Sequence, residues 1–276
     1  MNLRRSRWIH YFRLLYHATI YEFHKRTIFR MGFFIREILQ GITRPMMMIF
    51  VYGSICQQQP GQKIHGYDFP ELVRYLILAA LLQKLVFGNR GLDLATQIFD
   101  GYITKYFIMP LPYSLLAIAR FLQFILVQIV VVLLIYGVGL FWIPEWWPTP
   151  NSWQAGIQAM SLVFIGSYCF FLMYFIINIF AFWLELVWTL LVGGWFISGF
   201  ISGVLIPVSL MPASVQKIFY WTFPYWTISA PVEIFIGKRH DFLEGVLILS
   251  GTLIFLELLR QFCWTRGVRK YTGVGM

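Results

Sequence analysis

Residues 154 to 206 carry a single formal charge, Glu185, and long apolar runs of this kind recur from residue 33 to the end of the chain. Such runs are longer than soluble core helices need, and they match the roughly 20 residues that cross a bilayer core of about 30 Å. Only 12% of the residues are charged and 59% are hydrophobic, against roughly 25% charged in an ordinary soluble domain. The sequence therefore predicts a membrane protein with almost no chain left for a soluble domain.

The apolar runs favour helices over a transmembrane β-barrel, because barrel strands alternate apolar and polar residues in segments of about ten. Here the runs are continuous, as in VQIVVVLLIYGVGL. The net charge of +10 does not indicate a nucleic-acid partner, since the basic residues lie at the ends of apolar runs. Three cysteines in different segments indicate neither a disulfide framework nor a metal site.

The predicted fold is an all-α polytopic membrane protein with six transmembrane helices. The predicted spans are residues 32–56, 71–88, 115–142, 155–179, 187–206 and 242–262. Residues 1–31 predict an amphipathic helix in the membrane interface, because aromatic and aliphatic residues recur at three- and four-residue steps among basic ones. A cytoplasmic helix packed on a partner protein is the alternative for this segment.

Lys and Arg residues predict the orientation of the spans. Fifteen of them lie in the N-terminal segment, the second loop and the tail, which fall on one side, and four lie on the other side. Both termini are therefore expected to be cytoplasmic. The aromatic belt IPEWWPTPNSW after the third span places tryptophans such as Trp147 as interface anchors on the far side.

No catalytic residue is predicted. His10, His17 and His24 share a helix face, but seven residues rise about 10.5 Å along a helix, too far for three ligands at about 2 Å from one metal. The motifs GxxxxGK[ST], GxSxG and HExxH are absent from the sequence. ATP is therefore not expected to bind by the Walker route, and no metal site is expected on this chain.

The first loop that stands out is LATQIFDGYITKYFIMPLP, residues 94–112. Its start can form a short helix, Gly101 can break that helix, and Pro110 and Pro112 block continuation into the third span. A rigid amphipathic element on the cytoplasmic face suits docking to a soluble partner. An ordinary connecting loop is the alternative.

The second is the stretch of residues 207–240, which is apolar enough to lie at membrane depth. Four prolines at positions 207, 212, 224 and 231 exclude one continuous helix. Broken backbone at that depth is tolerated only where protein or a water-filled cavity satisfies it. A re-entrant helical hairpin and a surface loop rich in aromatic anchors both fit the pattern.

Local motifs carry a resemblance to a known family. They are Ile98-Phe99-Asp100-Gly101 followed by Met109-Pro110-Leu111, then Phe223-Pro224, Pro231-Val232-Glu233 and Gly237-Lys238, and the tail from Gly267 to Gly275. In this order on a six-span chain, they resemble the membrane subunit of type-2 ABC exporters. The nearest-looking branch is the two-permease exporter family that includes viologen-exporter-type and antibiotic-exporter permeases.

The resemblance implies an export permease with a coupling helix at 94–106 and a re-entrant helical hairpin at 207–240. The implied ATPase-coupling residues are Ile98, Phe99, Asp100, Gly101, Tyr102 and Lys105. The implied re-entrant or gate residues are Pro207, Pro212, Phe223, Pro224, Pro231, Glu233 and Gly237. It also implies two copies of a separate ATP-binding subunit that bind ATP and Mg, a second permease subunit, and a place in the bacterial inner membrane among its lipids.

Charge inside a span is costly and usually faces protein or water. Arg44 lies well inside the first span, so pairing with Glu257 or Glu185 and a position lining the pathway are both open.

A membrane scaffold that docks a partner without transport is the alternative function. A polytopic lipid-modifying enzyme is a third, although the acids are scattered. Drug, lipid, peptide and glycan substrates are equally compatible with the sequence.

Overall fold

The computed structural model of the chain describes residues 13–24, 67–87, 93–109 and 112–271, together with single residues between 39 and 54. These residues form helices joined by short turns, and no β-strand occurs among them. The prediction of an all-helical chain is confirmed for this part. The described positions of the predicted first span are helical, whereas Arg44 lies outside the described residues.

The helices of the described residues are numbered α1 to α11 in chain order. They are α1 (13–24), α2 (Phe69–Phe87), α3 (Asp93–Phe99), α4 (Thr104–Ile108), α5 (Tyr113–Trp142), α6 (Trp153–Ile179), α7 (Val187–Ile201), α8 (Ala213–Tyr220), α9 (Phe223–Thr227), α10 (Ser229–Ile236) and α11 (Phe242–Lys270). Two 3-10 turns, Phe180–Phe182 and Val208–Leu210, follow α6 and α7.

Within the described part of the chain, three helices are long and apolar enough to cross a membrane: α5, α6 with the turn that follows it, and α11. The 30 residues of α5 extend about 45 Å at 1.5 Å per residue, which exceeds a bilayer core of about 30 Å. These helices occupy the predicted third, fourth and sixth spans. The prediction of a helical membrane protein is therefore confirmed, and the chain passes the membrane several times.

The predicted second and fifth spans correspond to α2 and α7, which are not among the helices long and apolar enough to cross a membrane. Helix α2 has 19 residues and carries three charged side chains, Glu71, Arg74 and Lys84, within that length. Helix α7 has 15 residues, about 22 Å of helix, and it ends at Ile201 rather than at the predicted position 206. The chain then turns through Gly203, whose carbonyl accepts from the Tyr75 hydroxyl at 3.2 Å. Six spans therefore stay a prediction.

The core lies around α6, against which α2, α9, α10 and α11 pack. Phe170 of α6 is fully buried, and its ring centroid lies 4.6 Å from that of Phe87 in α2 and 4.9 Å from that of Phe223 in α9. Gly166, one turn earlier, lets α9 approach closely, because a Cβ there would overlap the Thr227 side chain. The 207–240 segment is thus packed directly onto a membrane-spanning helix.

The two ends of the bundle can be told apart by their contacts. At the start of α2, an Arg74 amino group (Nη2) donates to the Glu145 carbonyl at 2.9 Å, and Glu71 pairs with Lys238 at 2.7 Å. The turn after α5 and the 207–240 segment therefore share that end. At the other end, the ring centroids of Phe107 and Tyr271 lie 6.2 Å apart, so α4 meets the end of α11.

Exposed apolar side chains line the outer faces of the long helices. On α5 they include Leu133 and Phe141, and on α11 Leu247 and Phe255. Such faces on membrane-crossing helices contact lipid or another membrane subunit. Trp147, predicted as an interface anchor, is instead buried, because Gly139 of α5 leaves room for its ring.

Candidate functional site

The 93–109 segment is a helix–turn–helix at one end of the bundle. Helix α3 ends at Phe99, and the chain then passes Gly101, whose φ of 75° lies in the left-handed region that favours glycine. The Ile103 amide donates to the Gln97 carbonyl at 2.9 Å and closes the turn. Ile98 and Ile103 are buried beneath it. The predicted segment 94–106 is thus two short helices with Asp100 and Gly101 between them.

The opposite face of this segment forms an exposed patch. Its apolar members are Phe99, Tyr102, Phe107, Ile108 and Met109, with Ile108 86% exposed. Asp100 and Lys105 are exposed on the same segment, and Lys105 Nζ lies 4.9 Å from the ring centroid of Tyr106. We call this set the 99–109 patch. Apolar side chains concentrated on so short a segment mark a surface that is normally covered.

The segment is anchored to three long helices. Asn178 of α6 accepts from the Ala95 amide at 3.2 Å, and its own amide donates to the Tyr174 carbonyl at 2.8 Å. The Tyr106 ring centroid lies 5.0 Å from that of Tyr113 at the start of α5. Tyr113 in turn stacks on Trp264 of α11 at 5.7 Å. A displacement of the segment must therefore act on α5, α6 and α11.

An ion-pair cluster lies beside this anchor. Arg120 of α5 donates from Nε to Glu22 of α1 at 3.0 Å, and its Nη1 lies 3.6 Å from an Asp93 carboxylate oxygen of α3. Arg120 is one of the fifteen basic residues that predict the orientation of the spans, whereas Glu22 and Asp93 are not among the residues predicted from the sequence. The sequence feature that could have revealed this cluster is Arg120 itself. It is the one charged residue inside the predicted span 115–142, and such a charge usually has a partner.

At the other end of the bundle, each proline of the 207–240 segment begins a short helix. Pro207 precedes the turn Val208–Leu210, and Pro212 is the N-cap of α8. Pro224 is the second residue of α9, and Pro231 is the third residue of α10. A proline in a first turn removes no helical hydrogen bond, because the N–H groups there have no partner within the helix. The segment is therefore a chain of short helices packed against α6.

Glu233 lies in the centre of this segment. It is 8% exposed, and its Oε2 accepts from Arg239 Nε at 3.0 Å and from the Tyr225 hydroxyl at 3.5 Å. Burial raises the pKa of Glu233 above its ordinary value, and the neighbouring Arg239 guanidinium opposes the rise. Arg239 also pairs with Asp241 at 3.0 Å. Phe223 of this segment packs against Phe170, as described above.

The guanidinium of Arg239 lies over three aromatic rings. Its carbon is 5.7 Å from the ring centroid of Tyr220, 5.5 Å from that of Tyr225 and 5.7 Å from that of Trp226. Such contacts add electrostatic attraction to the ion pair. The rings and Glu233 together hold Arg239 in one place at the end of α10.

Gly237 closes α10 in a left-handed conformation, with φ of 85°. The Lys238 amide then donates to the Glu233 carbonyl at 2.8 Å, as in a glycine-terminated helix end. Lys238 pairs with Glu71 at 2.7 Å, and its Nζ lies 3.4 Å from the ring centroid of Tyr67. Burial raises the pKa of Tyr67 to about 12. The end of α10 is thereby tied to the start of α2.

A cavity of about 660 Å³ opens beside these groups. Its lining includes Tyr67, Lys217, Trp221, Glu233 and Arg239. The volume lies in the range of roughly 300–1,000 Å³ that is usual for small-molecule pockets. The aromatic and charged lining is suited to an interfacial, water-accessible vestibule.

The predicted buried charges are only partly described. Glu257 pairs with Arg260 one turn away on α11, and both line a cavity of about 90 Å³. Glu185 is exposed in the turn before α7. Arg44 lies outside the described residues, so its pairing or pathway role stays a prediction. Among the described residues, no group of His, Cys, Asp and Glu side chains is placed to hold a metal ion.

Comparison with known proteins gives one family. A family model described as ABC-2 family transporter protein matches residues 42–275, which is most of the chain. No curated protein matches the chain.

Proposed function

Because this chain belongs to the ABC-2 transporter family, of which it is a permease, we propose that it exports a substrate outward, driven by a separate ATPase that docks on the 99–109 patch. The proposal names α3 and α4 as the coupling element. The observation that carries it is the 99–109 patch itself: five exposed apolar side chains on a segment whose other face is locked to the spans.

The exposure of the patch supports a protein partner. Ile108 is 86% exposed, Tyr102 62% and Met109 50%. Asp100 and Gly101 lie at the tip between the two helices, where a partner groove can reach both. Apolar side chains surrounded by a few charges are the usual composition of a protein–protein contact.

The rigidity of the attachment supports force transfer. Ile98 and Ile103 are buried under the turn, and Asn178 holds the start of α3. An element of this kind does not bend independently of the spans, because its buried side chains resist rearrangement. ATP-dependent closure of the motor would then act on α5, α6 and α11 together.

The 207–240 segment is proposed as the outer gate of the pathway, in a re-entrant arrangement. Supporting this are its broken helices, their packing on α6 through Phe170 and Phe223, and the vestibule-like cavity at its surface. The ion pairs of Lys238 with Glu71 and of Arg239 with Glu233 would hold the gate in the closed form.

The complete transporter is proposed to contain two copies of the ATPase, which bind ATP and Mg²⁺, and a second permease subunit. The long exposed apolar faces of α5, α7 and α11 leave room for another membrane subunit. The excess of Lys and Arg on the side of the 93–109 segment supports cytoplasmic termini in a bacterial inner membrane.

The experiment is co-purification of the chain with its partner ATP-binding subunit, before and after Asp100→Lys. Reversing the charge at the exposed tip is expected to weaken association, because the partner groove must accommodate the tip directly. Glu145→Lys is the matched control, since Glu145 is also exposed but lies at the opposite end of the bundle. Co-purification that Asp100→Lys leaves at the wild-type level would count against docking at this patch.

A further inference from the structure

The helix α1 is attached to the bundle in an unusual way. Among its twelve described residues, Glu22 is the single buried one, at 6% exposure, while Tyr16, Tyr21 and Phe23 are exposed. An amphipathic helix ordinarily buries apolar side chains against its neighbours. Here the side chain that enters the protein is a carboxylate, so its position depends on the cation that it meets.

That cation is Arg120 of α5. Its Nε donates to Glu22 Oε1 at 3.0 Å, and its side chain is only 13% exposed. Its Nη1 lies 3.6 Å from Asp93 Oδ2 at the first residue of α3. One guanidinium therefore touches carboxylates from two other helices, which are separated from it by 98 and 27 positions along the chain.

The chemistry of arginine suits this arrangement. The planar guanidinium presents donors in several fixed directions, so one side chain can hold two carboxylates at once, whereas a lysine ammonium is a point charge. A buried pair of this kind adds little net stability, but removing one partner leaves an uncompensated buried charge. The pair thus determines where α1 lies relative to α5 more than it stabilises the fold.

The same residue meets the element proposed to receive the motor. Helix α3 is held at its start by Asn178 on α6 through the Ala95 amide. Its Asp93, whose side chain is 61% exposed, forms a longer ion pair with Arg120 on α5. Glu22 extends the second of these links to α1. The coupling element and α1 are therefore joined through one side chain.

We propose that Arg120 is a positioning residue that joins α1 to α3, so that movement imposed on α3 by the ATPase is passed to α1 through Glu22, Arg120 and Asp93. This inference rests on the proposed function, since it takes the 93–109 segment as the site of the motor. On this proposal α1 moves together with α3 during the transport cycle rather than staying fixed at the membrane surface.

The test measures the distance between α1 and α3. Spin labels are placed at Tyr21→Cys and Thr96→Cys, both exposed positions, and Thr96 lies outside the 99–109 patch. Cys56, which lies outside the described residues, is replaced by serine, and the buried Cys169 and Cys263 are kept. Pulsed EPR on the chain in lipid vesicles is expected to give a narrow distribution. Addition of the ATPase with a non-hydrolysable ATP analogue is expected to leave it unchanged, because the two helices move together.

Loss of the link is expected to separate the helices. Arg120→Gln should broaden the distribution about two-fold in the chain alone, since a buried carboxylate is left without its cation, and should let the ATPase and ATP analogue shift its mean. Arg120→Lys should give a distance distribution of intermediate width, because lysine keeps the positive charge but lacks the planar set of donors that can hold two carboxylates. Glu22→Gln removes only the ion pair between α1 and Arg120. It tests whether that pair holds α1 to α3 even if the Arg120→Gln chain does not fold.

Arg260→Gln is the matched control. Arg260 is similarly shielded, but its ion pair with Glu257 lies within one helix, and its contact with the Phe175 ring reaches α6 rather than α1 or α3. This variant should therefore keep the wild-type distribution. A wild-type width and mean in both Arg120→Gln and Glu22→Gln would overturn the inference. If the ATPase did not bind the unaltered chain, the proposed function would be wrong instead. The distances measured without the ATPase would still show whether Arg120 links the helices.

Discussion

Replacing Ile108 by alanine tests the 99–109 patch with a small and calculable change. Ile108 is 86% exposed, so nearly all of its side chain is available for burial by a docked ATPase. The substitution removes three carbon atoms, each worth about 0.8 kcal/mol when buried, or about 2 kcal/mol in total after allowing for the exposed fraction. Since about 1.4 kcal/mol corresponds to a ten-fold change in affinity, the Kd for the ATPase should rise about 30-fold.

The assay is a titration of fluorescently labelled ATPase onto the chain in lipid nanodiscs. Leu247→Ala is the control, because it removes the same number of carbon atoms from a side chain that is 72% exposed on the outer face of α11, outside the 99–109 patch. Its Kd should match that of the wild type. An Ile108→Ala chain that binds the ATPase as tightly as the control would mean that the ATPase does not bury Ile108, and that docking uses another surface.

Three further predictions concern the 207–240 segment. Gly237→Ala should lower the thermal unfolding temperature, because alanine is strained at φ of 85° by about 1–2 kcal/mol and its Cβ would lie 2.6 Å from Asn151 Nδ2. Adding Asn151→Ala should restore only the part of the loss that comes from this overlap, and full restoration would show that backbone strain is negligible. Because burial raises the folded-state pKa of Glu233 above its ordinary value of 4.5, the free energy of unfolding should fall as pH rises from 4.5 through the raised pKa. Glu233→Gln should remove that fall, and identical pH profiles for variant and wild type would contradict the reasoning. A cysteine at Trp221, 75% exposed beside the cavity, should react with a membrane-impermeant thiol reagent added outside intact cells, and protection there would exclude an outer vestibule.

Much of the local structure is readable from the chain because it depends on neighbours in sequence. The run from 154 to 206, with Glu185 as its single charge, predicts membrane helices, and α6 with α7 occupy it, although α7 is shorter than predicted. Prolines can start helices but cannot sit inside them, so the four prolines of the 207–240 segment already indicate its broken character. Gly101 likewise indicates a break in the 93–109 segment, and a turn with positive φ lies there.

The side chains that join these elements were not readable in the same way. Trp147 sits in an aromatic belt of the kind that anchors interfaces, yet it is buried, because Gly139 happens to face it across the turn. Glu257 was predicted as a possible partner of Arg44, which lies outside the described residues, and the structure adds a pairing with Arg260 on its own helix. Neither outcome follows from residue type, since both depend on which helix faces which.

The sequence alone determined that this chain is a helical membrane protein with interrupted segments at 93–109 and 207–240, since helix formation, span length and proline placement are set over a few turns of chain. Only the tertiary structure decided how those segments are held. Arg120 meets Glu22 across 98 residues, Asn178 meets Ala95 across 83, and Lys238 meets Glu71 across 167. Each of these contacts exists because α6 and its neighbours stack in one arrangement, and that arrangement comes from the packing of whole helix faces rather than from any local pattern.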